Sequence, residues 1–98
     1  MTLGRYGDAA RRAESINVDS IHSPTGRSRY LVDVARGYLA QRDDVAAWHL
    51  LSRAYQESPE TVQHGQFGRS VAQELLERNH AAVKTEVRTL ANKIGLPT

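Results

Sequence analysis

Apolar residues recur at three-and-four spacing along most of the chain, the period of a helix with one buried face. The pattern is densest between Arg27 and Pro59. Leu31, Val34, Ala35 and Tyr38, with Leu39 beside it, form one stripe, and Ala47, Leu51 and Ala54 form a second. Only the polar tetrapeptide Gln41-Arg42-Asp43-Asp44 separates them. The spacing predicts a helical hairpin in which Ala35, Ala47 and Ala54 mark where two helices approach closely. Such a hairpin cannot bury both stripes by itself, so it is expected to belong to a stack.

The flanking segments extend the pattern. Tyr6, Ala9, Ala10, Ala13 and Ile16 predict a helix after a turn-like start, and Asn17 to Thr25 reads as a loop around Pro24. Ser23 followed by Pro24 is a start signal, with the serine as cap and the proline in the first turn. The helix it opens should run to about Gln41. Asp43 or Asp44 caps the next one, which should end near Glu57 because Pro59 cannot continue it. Ser58 to Gly65 is expected to be a second loop. Phe67, Val71, Leu75 and Leu76, with Ala72 as the small contact residue, predict a fourth helix, and Asn79-His80 a break. Val83, Val87, Leu90, Ala91 and Ile94 predict the last helix, closed by Gly95 in a left-handed turn. The expectation is all-α, about five helices and no strand.

Composition alters this picture little. Ninety-eight residues, 40% hydrophobic and 24% charged, describe one ordinary globular domain, residues 1–98. With no cysteine there is neither a disulfide nor a thiolate metal site, which fits a reducing cytoplasmic setting. No apolar run reaches the roughly 18 residues of a membrane span, and no partner membrane is expected. The net charge is +2, and the arginines are spread from Arg5 to Arg88 rather than gathered in a patch. Spread arginine reads as a solvated face, so direct nucleic-acid binding by this chain is not expected.

The hairpin also carries a repeat signature. Leu31-x2-Val34-Ala35-x2-Tyr38, then Ala47-x3-Leu51, Ala54 and Pro59 fill the apolar and small slots of the tetratricopeptide repeat, whose period is roughly 34 residues. The stretch 27–59 resembles one complete unit. Leu3-Gly4-Arg5-Tyr6-Gly7-Asp8-Ala9 is similar to the second half of such a unit, over about 3–16, with Ala9 placed 38 residues before Ala47. The segment 64–95 resembles a degenerate, capping unit. Because the repeat is entered midway, the chain is expected to be a carboxy-terminal fragment; a partner chain covering the first helix is the competing explanation.

Leu3-Gly4-Arg5-Tyr6, the helix from Arg29 to Leu39, and the ending Val87-Arg88-Thr89-Leu90-Ala91-Asn92-Lys93-Ile94-Gly95-Leu96 together resemble the tetratricopeptide-like tail of helix-turn-helix transcriptional regulators, nearest to the Xre-type regulators of actinobacteria. The resemblance implies a stack of antiparallel helical hairpins. It also implies a role in protein interaction, signal sensing or dimerisation, with the DNA-binding domain lying elsewhere. Leu90-Ala91-Asn92-Lys93-Ile94-Gly95 is similar to the first helix and turn of a DNA-reading motif, which needs a recognition helix after it; with only Leu96, Pro97 and Thr98 following here, it is expected to be a capping helix instead.

In such a stack the inner wall is lined by the first helix of each unit. Arg29, Val32, Arg36 and Leu39 share the expected non-core side of one, and Gln66, Arg69 and Gln73 that of another. Three arginines, two glutamines and some aliphatic surface suit an extended peptide or an acidic partner, since arginine pairs with a carboxylate through two parallel hydrogen bonds. A solvated, unused face is the competing reading. The asparagines with which related repeats grip a carboxylate are missing, with Arg36 and Gln73 in their slots.

Trp48 and Tyr55 are expected to pack against neighbouring helices rather than stack on bases. His22, His49, His64 and His80 form no ligand pair, so no metal site is expected. No oriented acid–base pair and no phosphate cradle can be read, so no enzyme activity and no cofactor are expected. The functional expectation is a partner-binding module of a bacterial regulator. The alternative is a stand-alone helical scaffold that self-associates, as a homodimer for example, or binds a peptide.

Overall fold

The amino end of the first described helix is built as its local chemistry dictates. Ser23 is the cap, its Oγ accepting a hydrogen bond from the Gly26 N–H at 3.2 Å, and Pro24 occupies the first turn. In this computed structural model, which describes residues 21–97, α1 spans Pro24–Ala40. It is followed by α2 (Asp44–Glu57), α3 (Pro59–His64), α4 (Gln66–Arg78) and α5 (Lys84–Lys93), and there is no strand among the described residues. The helix expected over residues 3–16 lies outside them.

Each helix ends for an identifiable reason. After α1, Arg42 adopts a left-handed φ of 64°, its N–H donates to Leu39 O, and the Asp43 N–H reaches back to Tyr38 O at 2.9 Å. This is a Schellman closure with arginine where glycine is usual. Asp43 then caps α2 by accepting from the Ala46 N–H at 3.1 Å. Asn79, at φ 51°, ends α4. Gly95, at φ 79°, closes α5 through a second Schellman pair, Gly95 N–H to Asn92 O and Leu96 N–H to Ala91 O.

The second expected loop is not one. Pro59 ends α2 but opens α3 in the next residue, because its fixed φ and missing N–H suit a first helical turn as well as they oppose an interior one. Ser58 serves as the hinge of both helices. Val62, expected in a loop, is thereby fully buried.

Packing follows the two stripes. α1 and α2 form the antiparallel hairpin and make the most extensive contact among the described helices. Leu31, Val34, Ala35, Ala47, Leu51 and Ala54 are all buried, and the three alanines bring the backbones close, as expected. The far end of the hairpin is tied by polar groups. Ser28, wholly buried, donates from its Oγ to Ala54 O at 2.8 Å, and Arg27 Nε pairs with Glu57 at 2.9 Å. Trp48 and Tyr55 are partly buried against the core, the packing role expected of them.

α4 lies across both hairpin helices and α5 packs on α4. Val71, Ala72 and Leu75 of α4 meet Val83, Val87, Leu90 and Ile94 in one continuous core. The carboxylate of Asp44, at the buried start of α2, is met by Arg78 at the end of α4, which also pairs with Glu74. These hydrogen bonds, the one to Asp44 foremost, raise the Arg78 pKa above its ordinary value. Among the described residues no helix is long and apolar enough to cross a membrane.

Candidate functional site

α3 and α4 meet at a sharp corner that only glycine permits. A Cβ on Gly65 would lie 2.1 Å from Thr61 O, and one on Gly68 would lie 2.9 Å from the Val62 Cα. The corner therefore presses the start of α4 onto α3 and turns its first side chains toward α1. The result is a cavity of about 390 Å³ lined by Arg29, Val32, Asp33, Thr61, Gly65, Gln66, Phe67 and Gly68. That volume lies at the lower end of the usual range for ligand pockets, roughly 300–1,000 Å³.

Phe67 defines the site. It is 50% exposed, the only large hydrophobic side chain among the described residues to stand so far out. The Arg36 guanidinium sits 4.2 Å from its ring centroid, within cation–π reach. Arg36 is also 3.8 Å from Asp33, one turn away on α1. Arg29, exposed on the rim, forms no ion pair with another described residue in the structure. Gly65 caps α4 without a side-chain hydrogen bond and α4 has no acidic residue in its own first turn, so its positive end meets the cavity with Asp33 as the carboxylate of the lining.

The residues expected to line a groove divide into two groups. Arg29, Val32 and Gln66 come together in the cavity, and Arg36 joins them through Phe67. Val32 is also buried in the core, so its expected place on a non-core side is corrected: α3 and α4 cover that side of α1. Leu39 is corrected likewise, buried among the core residues and away from the cavity. Arg69 points elsewhere, donating to Gln63 O at 2.9 Å and Ile94 O at 2.7 Å, where it fastens the end of α5 to the end of α3. Gln73 hydrogen-bonds Glu77 at 3.2 Å on a separate polar surface with Ser70, Glu74 and Arg78.

Phe67 was expected on the core stripe of α4. Its exposure departs from the periodic pattern, and the neighbouring Gly68 sits against α3, where a Cβ would come 2.9 Å from the Val62 Cα. Thr61, Gly65 and Asp33 belong to the site through the α3–α4 corner and offered no separate signal. Among the described residues no group of three or more histidine, aspartate or glutamate side chains could hold a metal ion.

Set against protein-family models, curated proteins and solved structures, the chain matches none of them.

Proposed function

We propose that the chain is a protein-interaction or signal-sensing module, a tetratricopeptide-like helical stack of the kind that bacterial helix-turn-helix regulators carry beside their DNA-binding domain. Its work would be to bind a segment of another protein in the cytoplasm, without chemistry of its own. The observation that carries this reading is the cavity between α1 and the start of α4, with Phe67 held half out of the protein at its mouth. An exposed aromatic ring beside an arginine is the composition of a contact hot spot, where Trp, Tyr and Arg are enriched and aromatic anchors dominate the binding energy. The likeness of 27–59 to a complete repeat and of the ending to regulator tails supports the same assignment.

Display of a random peptide library against the 98-residue protein tests it. The reading expects selected peptides whose binding is lost in Phe67→Ala and weakened in Arg36→Glu, both variants retaining the helical spectrum of the parent. Selected peptides that bind both variants as well as the parent would remove the cavity from the function. Light scattering over a range of concentrations decides the self-associating alternative: growth in mass that Phe67→Ala abolishes would assign the same surface to a second copy.

A further inference from the structure

We infer that the cavity at the α1–α4 junction takes an aromatic side chain adjacent to a carboxylate on an extended segment of a partner protein; this rests on the partner-binding reading above and names the chemistry of its occupant. Size, shape and charge each contribute. The cavity's apolar lining is Val32, Gly68 and the half-exposed ring of Phe67, and about 390 Å³ has room for one large side chain with its neighbours but not for a helix. Arg36 covers Phe67 within 4.2 Å of its centroid, and the ring still remains half exposed. An incoming aromatic ring can therefore meet Phe67 edge-to-face or offset, the arrangements such rings prefer.

The charge around this floor is unbalanced. Arg29 and Asp33 both line the cavity, and the Asp33 carboxylate lies 3.8 Å from Arg36, which stands outside the lining. Among the described residues Arg29 is the lining cation without an ion pair, and the amino end of α4 opens on the same space. A carboxylate next to the anchoring ring would pair with Arg29 through a fork of two hydrogen bonds, which fixes orientation as well as adding attraction. A lysine in its place would meet two guanidiniums. The other polar surface, around Ser70, Gln73, Glu74, Glu77 and Arg78, lacks an apolar floor, and its charged groups already satisfy one another.

The test uses fluorescein-labelled peptides on a glycine–serine background carrying Glu-Phe, Lys-Phe or Glu-Ala at the centre, with anisotropy read on the 98-residue protein. The Glu-Phe peptide is expected to bind at least about tenfold more tightly than either of the others, a difference of about 1.4 kcal/mol. Arg29→Glu should reverse the order of Glu-Phe and Lys-Phe, a result that a merely unfolded variant cannot give. Equal affinity for Glu-Phe and Lys-Phe, with binding lost in Phe67→Ala, would overturn the acidic specificity while leaving the partner-binding reading in place. Glu-Ala binding as tightly as Glu-Phe would overturn the aromatic anchor. Absence of Phe67-dependent binding by any of the three peptides would overturn the inference as a whole, and the library selection then decides the broader reading independently.

Discussion

Two regions of the molecule, the α1–α2 hairpin and the α1–α4 junction, treat the same kind of pattern in opposite ways. At the hairpin of α1 and α2, Leu31, Val34, Ala35, Ala47, Leu51 and Ala54 are buried and polar groups pair around them: Ser28 donates to Ala54 O, Arg27 meets Glu57, and Arg78 of α4 meets the buried Asp44. At the start of α4, an aromatic residue on an equally regular stripe stands half in solvent, with Arg36 over its ring and Arg29 lining the same cavity. The difference lies in what the neighbouring backbone allows. Alanines let α1 and α2 close on each other, whereas Gly65 and Gly68 let α3 close on α4 beside the half-exposed Phe67. Periodicity says which residues share a face; the approach of the next helix decides whether that face is sealed.

Substitutions can break this contrast. Leu51→Ala should have the largest effect, destabilising the protein by about 2–5 kcal/mol through lost burial and the cavity left behind; urea unfolding measures it. Gly68→Val should cost about 1–3 kcal/mol, because its Cβ would come 2.9 Å from the Val62 Cα and backbone must move to admit it. Equal stability of that variant would mean the α3–α4 corner is loose. Ser28→Ala should cost about 1 kcal/mol, the net value of one buried hydrogen bond. Phe67→Ala should change stability by no more than about 0.5 kcal/mol, as a surface substitution does. A loss as large as that of Leu51→Ala would make Phe67 a core residue and erase the distinction.

Most of the helical framework is legible in the sequence because its signals are local. Ser23-Pro24, Asp43, Asn79 and Gly95 begin or end helices through groups within a few residues of themselves. Leu31, Ala35, Leu51, Val71 and Leu75 follow from spacing alone. What escaped depends on tertiary neighbours or on a residue with two uses. Pro59 stops one helix and starts another, so α3 was hidden behind the stop signal. Val32 and Leu39 lie off the narrow stripe of α1, yet they are buried because α1 is covered on more than one side. Arg69 resembles a groove arginine in its spacing, but the carboxyl end of α5, 25 residues away, claims its guanidinium. The cavity is partly legible: Arg29, Val32 and Gln66, expected on one wall, do line it and Arg36 stands over Phe67, whereas the pattern puts Phe67 on the core stripe and it is half exposed.

The central claim is that the surface around Phe67, and not the aromatic residues of α2, meets a partner. Amide chemical-shift mapping of the isotopically labelled protein, titrated with a library-selected peptide, tests it most directly. The account predicts the largest shifts at Arg29, Val32, Asp33 and Gln66 to Gly68, with the amides around Trp48 and Tyr55 unmoved. Shifts centred on Trp48 and Tyr55, with the α1–α4 junction silent, would contradict it.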